Sequence, residues 1–159
     1  MAINFFEQQC TATTSVSIFG IYDIPPASLD FNNSDIWIAW VDNEEETEIT
    51  FTAIDKCLNI PWGEGERCEA MITYSDAIVF IELKDSDGGR WPGKARDQLT
   101  NTITLFKRDA DIATFRRLYG HIANKQRPYF KSGGQAFFQK FEDETGGFIL
   151  RVSDVIKIE

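Results

Sequence analysis

The chemistry this sequence offers rests on Glu69, Glu82, Lys84 and Gln98. Arg67 to Tyr74 and Ala77 to Lys84 are both rich in apolar and β-favouring residues, and Ser75-Asp76 lies between them. That pattern reads as a hairpin. A two-residue turn pairs Tyr74 with Ala77 and sets Glu69 directly opposite Glu82; a four-residue loop keeps this register and a three-residue loop breaks it. Side chains alternate along a strand, so Glu82 and Lys84 share a face with Ile78 and Phe80. Facing carboxylates among Met71, Ile78 and Phe80 repel unless a cation lies between them or one keeps a proton. The spacing points to a divalent-metal site with Lys84 as its cationic neighbour.

The elements around these residues must bring them together. Pro92-Gly93 precedes a helical pattern over Lys94 to Arg108, with Ala95, Leu99, Ile103 and Phe106 on one stripe. Lys107 and Arg108 suit its negative C-terminal end. Gln98 stands at the edge of that stripe, and a helix packed on the sheet carries it to the Glu82–Lys84 end of the strand. Arg116 to Asn124 reads as the next strand, parallel to a core strand; His121 within it reads as packed or hydrogen-bonded. Gln135 to Thr145 reads as a second helix ended by Gly146-Gly147. Phe148 to Val152 and Val155 to Ile158 read as closing strands. Upstream, Thr14 to Tyr22 and Ile36 to Val41 read as strands, and Asp42 to Glu46 as an acidic turn. Glu48 to Ile54 reads as the hairpin partner of Ile36 to Val41. The expected class is α/β with a mixed sheet, in one domain over residues 1–159: a β-rich part at 1–54 and a core at 55–152.

In these contexts, D-K-C-L, E-R-C-E-A-M-I, I-V-F-I-E-L-K and A-R-D-Q-L-T-N-T-I resemble the PD-(D/E)xK nuclease superfamily, and more narrowly its small bacterial members; with weaker agreement after the helix the resemblance covers about residues 50–152. The resemblance implies a restriction-endonuclease-like core that hydrolyses phosphodiester bonds with Mg²⁺ or Mn²⁺ held by Glu69 and Glu82. Lys84 would activate water and stabilise charge on the phosphate, and Gln98 would position water or phosphate. Asp55 is a candidate further carboxylate near the metal, or a turn residue. Glu69 stands where the family usually has Asp, and Cys68 where it has Pro. Some members of the superfamily do no chemistry. The alternative expectation is therefore a catalytically inactive binding module, such as a toxin-neutralising immunity protein or a subunit of a complex.

Composition bounds both readings. A chain of 159 residues, 43% apolar and 13% aromatic, has material for one packed core. No apolar run approaches a membrane span, and the first residues do not look like a signal peptide. Cys10, Cys57 and Cys68 form no C-x-x-C, and read as reduced thiols of a cytoplasmic protein. Three scattered Cys and one His, without metal-site spacing, argue against a structural zinc site. The net charge of −9 is uneven: residues 1–60 hold ten acids against Lys56 alone, which suits a basic protein partner. Residues 103–140 hold eight basic residues against two acids. Arg90, Arg116, Arg117, Lys125 and Arg127 are the candidate nucleic-acid contacts, the bland reading of them being a solvated surface. In the loop at 85–93, Arg90 and Trp91 would suit a phosphate and a base. Trp62 either stacks on a base or caps the core, and the cap is the plainer expectation.

Overall fold

The computed structural model describes residues 2–126 and 134–159. Among these residues ten strands and two α-helices form three layers. The strands are β1 (Thr11–Thr14), β2 (Ile18–Asp23), β3 (Ala27–Asp30), β4 (Ala39–Asp42), β5 (Ile49–Ala53), β6 (Ala70–Tyr74), β7 (Ala77–Lys84), β8 (Arg117–Asn124), β9 (Ile149–Val152) and β10 (Val155–Lys157). The helices are α1 (Trp91–Asp109) and α2 (Gly134–Thr145). The larger sheet runs β1-β5-β6-β7-β8-β9 and the smaller β10-β4-β2-β3. Both are mixed: β7, β8 and β9 are parallel, as are β10 and β4, and the other pairs are antiparallel.

Central strand β7 explains the layering. Ala-Ile-Val-Phe-Ile-Glu-Leu is buried throughout, the pattern of a strand covered on both faces. Ile78 and Phe80 pack with Ala95, Leu99, Ile103 and Phe106 of α1 and with Phe141 of α2. Val79, Ile81 and Leu83 turn the other way, into a second core shared with Phe19, Ile21, Ala39 and Val41 of the smaller sheet. Within this apolar strand Glu82 is the exception, at 0 % exposure. A carboxylate does not enter such a strand without a partner.

The hairpin register is the one the two-residue turn requires: Tyr74 pairs with Ala77 and Ala70 with Ile81. Ser75 takes φ +49°, the left-handed conformation a tight hairpin turn asks of its first residue. Helix α1 begins three residues before the expected start, with Pro92 in its first turn, where a missing N–H is harmless.

Three expectations are corrected. Thr14 to Tyr22 is not one strand: the chain breaks at 15–17, and β1 and β2 lie in different sheets. Ile36 to Val41 shortens to Ala39–Asp42 behind a 3₁₀ turn, Ser34–Ile36, and is not the hairpin partner of β5, because the two also belong to different sheets. Buried Asn43 makes the crossing: its Nδ2 donates to Val16 O (3.2 Å) and Thr47 O (2.8 Å), while Thr47 N donates to its Oδ1 (3.0 Å). Those bonds wrap the acidic turn around one amide, so its chain leaves toward the other sheet. Finally, Cys10 and Cys57 are joined by a disulfide, and only Cys68, buried, is free. With the reading of three reduced thiols goes its support for the cytoplasm. Among the described residues no helix is long and apolar enough to cross a membrane.

Candidate functional site

The site lies where β7 ends. Glu69 precedes β6, and its N–H donates to both Ile81 O (3.1 Å) and Glu82 Oε1 (3.2 Å). Glu82 Oε2 has no hydrogen bond among the described residues and is met by the Lys84 ammonium 3.0 Å away. Lys84 Nζ also donates to Gln98 Oε1 at 2.8 Å. The hairpin and the helix thus bring Glu69, Glu82, Lys84 and Gln98 together.

Two further residues belong to this arrangement. Thr102, fully buried one turn after Gln98, donates from Oγ1 to Gln98 O (2.8 Å) and accepts the N–H of Cys68 (2.8 Å). It fastens the turn of α1 that carries Gln98 to the backbone that carries Glu69. Its i+4 spacing from Gln98 was the available signal in the sequence. Asp23, at the end of β2, stands close enough for its charge to help push the Glu69 carboxyl up. Neither carboxylate has a donor to give, and Asp23 Oδ1 is a buried oxygen without a partner. The pair must share a proton or a cation. No local pattern marked Asp23, which arrives from the other sheet.

Electrostatics follow from crowding. Burial first, then the Glu82 charge, pushes the Glu69 carboxyl up to about 8. Burial raises Glu82 as well, against the pull of Lys84. Asp23 is raised, again mainly by burial. Three carboxyls thus face one ammonium in a poorly hydrated place.

The other candidates scatter. Asp55 borders the site but pairs with Arg67 at 3.3 Å. Arg90, at the start of α1, lines a cleft of about 440 Å³ that also reaches Lys84. Lys125 N donates to Lys84 O (2.9 Å), while its ammonium is turned to Asp35 O. Arg116 and Arg117 sit at the opposite end: Arg117 is level with Ala77, and Lys84 with Asn124, about 23 Å along β7. Arg127 lies outside the described residues. His121 is buried, its Nε2 2.8 Å from Ser153 O, and burial pushes it down to about 4, as fits a packing role. Trp91 is 8 % exposed and packs in the core with α1, so it does not serve as a base-stacking loop residue. Trp62 caps nothing: it is 100 % exposed.

Among the described residues no three His, Cys, Asp or Glu side chains form a ready metal cage. Mg²⁺ does not need one, since it is commonly held by one or two carboxylates and completed by water and substrate phosphate. The orphaned Asp23 oxygen beside Glu69 and Glu82 gives hard oxygen donors of that kind.

Fold and site together define a mixed α/β protein with a buried carboxylate–lysine pair at the end of its central strand. Compared with known proteins, the chain matches no family, no curated protein and no solved structure.

Proposed function

We propose that this is a nuclease-like protein of the PD-(D/E)xK kind, with a restriction-endonuclease-like core, hydrolysing phosphodiester bonds in nucleic acid. The supporting observation is the convergence of Glu69, Glu82, Lys84 and Gln98, with Lys84 Nζ held between Glu82 Oε2 (3.0 Å) and Gln98 Oε1 (2.8 Å). Glu69 and Glu82 would hold Mg²⁺ or Mn²⁺. When bound, such an ion supplies Lewis acidity toward a phosphoryl oxygen. Lys84 contributes a positive charge fixed where negative charge develops on phosphate. Gln98 holds that ammonium with its carbonyl oxygen, leaving its amide N–H groups to orient water or a phosphate oxygen. Glu69, which keeps a proton easily in the metal-free site, would have to give it up for such an ion to bind.

Calorimetry with Mn²⁺ on wild type and Glu82→Gln tests the reading. Wild type is expected to bind about one ion and the variant none, since a site built on one or two carboxylates loses its affinity when one of them is neutralised. Absence of binding by the wild type would sink the catalytic reading. A nuclease screen in Mn²⁺ follows a positive result.

A second reading has its own observation. Ile18, Ile24 and Phe31 are exposed (59 %, 71 % and 44 %) within the acidic first third of the chain. An apolar surface among acids suits a basic protein partner, as for an immunity protein. Purification with a basic protein, together with absent Mn²⁺ binding, would favour it. The proposal keeps the cytoplasm as the setting expected from the sequence. There a Cys10–Cys57 disulfide would face a reducing medium, and alkylation in intact cells followed by mass spectrometry would read whether it persists.

A further inference from the structure

Trp62 is wholly exposed, whereas Trp37 and Trp91 are buried at 6 % and 8 %. An indole carries about 200 Å² of largely apolar surface, which folding usually hides. Its loop is nonetheless fixed. Asn101 Nδ2, on α1, donates to both Glu64 O and Glu66 O, and Arg108 Nη1 meets Glu64 Oε2 at 2.7 Å. Gly65, at φ +89°, lies so close to Asn101 that a Cβ would sit 2.8 Å from its amide nitrogen. The turn that carries the indole, closed by Glu64 N donating to Pro61 O at 3.3 Å, is thus anchored to α1.

Trp62 stands over a cleft of about 550 Å³ whose wall includes Gln98, the residue that holds Lys84. Beyond Lys84 the second cleft continues to Arg90. The first cleft offers little net positive charge. Its lining sets Lys56 and Arg67 against Asp55 and Glu66, with Arg67 paired to Asp55. A duplex, whose binding rests on phosphate neutralisation, gains little here. An unpaired base offers a free π-face, which stacks on an indole whatever its sequence.

We propose that Trp62 is a stacking platform for an unpaired nucleobase, and that the substrate class is single-stranded nucleic acid threaded from Trp62 past Gln98 and Lys84 toward Arg90. This rests on the nuclease reading above. Trp62 acts as a positioning residue, setting which phosphate comes to Lys84.

The test is fluorescence anisotropy of a labelled 12-mer of thymidylate, a 12-mer of uridylate and a 12-bp duplex, in EDTA so that nothing is cut. Wild type is compared with Trp62→Ala and Trp62→Phe, thermal melting confirming equal folding. The single strands are expected to bind more tightly than the duplex, with a shallow salt dependence. Trp62→Ala should weaken single-strand binding about tenfold or more, and Trp62→Phe should retain most of it. Equal binding by Trp62→Ala, preference for the duplex, or no binding of a trace of labelled strand by the wild type at up to about 100 μM protein would each overturn the proposal. A protein-docking role for the indole is the reading left by the last outcome. Mn²⁺ calorimetry on the same proteins separates the two claims. Stacking lost with metal binding intact removes only this inference; metal binding absent with stacking intact removes only the catalytic reading.

Discussion

The two ends of β7 carry the same kind of pair in opposite surroundings. At its start Arg117 Nε donates to Asp76 Oδ1 at 2.7 Å, both side chains partly in water. The hydrogen bond from Arg117 holds Asp76 below the usual carboxylate range. At its end Lys84 meets Glu82 at 3.0 Å, and burial raises Glu82 in spite of Lys84. One acid and one base in high dielectric satisfy each other. Several acids around one base, away from water, do not. A self-sufficient pair fastens strands; a pair with surplus negative charge holds a proton or attracts a cation. The second arrangement is where chemistry is to be sought.

Removing the base is the strongest way to break this contrast. Lys84→Met keeps the aliphatic stem but leaves Glu82 buried without its ammonium, and should cost about 2–4 kcal/mol in urea unfolding at pH 8. Near pH 5 Glu82 takes up a proton and most of that loss should return. An equal loss at both pH values would mean that packing, not charge, is what Lys84 provides.

Glu69→Gln sharpens the contrast through pH. The folded state holds the Glu69 proton up to about pH 8, while an unfolded glutamate releases it near its ordinary value of 4.5. Between those limits the folded state binds more protons, so stability falls as pH rises through the window. His121, pushed down to about 4, acts with the opposite sign: stability falls as pH drops from 6.5 toward 4. Melting without added metal should therefore decline on the alkaline side, and Glu69→Gln should reduce that decline, leaving the part due to Glu82 and Asp23, which are raised in the same way. Mn²⁺ binding by the wild type near pH 7 should release a proton, read by calorimetry in two buffers of different ionisation enthalpy. An unchanged alkaline limb would argue that Glu69 is already ionised.

The smallest effect is expected at the other end. Asp76→Ala should leave Mn²⁺ affinity at the wild-type value and shift the melting temperature little, as surface pairs generally do. A marked loss of metal binding would dissolve the distinction between the two ends.

What was legible in the residues follows the range of the interactions. The Glu69–Glu82 register came from a turn two residues long, and Gln98 from the wheel of one helix, both local. Strand β8 alongside β7 followed from the strand–helix–strand order. The partner of β5 did not follow, because alternation in Glu48 to Ile54 shows that one face is buried and not which sheet buries it. Asn43, which decides that question, looks like any turn residue. Asp23 reaches Glu69 across two sheets, and Cys10 reaches Cys57 across 47 residues; no spacing rule spans such distances. Trp62 misled through its type, since a tryptophan is usually covered.

The Cys10–Cys57 bond also makes part of the protein a closed ring. It encloses β1 through β5, and with them strands of both sheets. A single cut anywhere from residue 11 to 56 opens that ring without dividing the molecule. The acidic turn and the loop at 31–36 are thus places where a protease can nick the chain while every strand stays tethered. Mass and connectivity survive until a reductant separates the pieces.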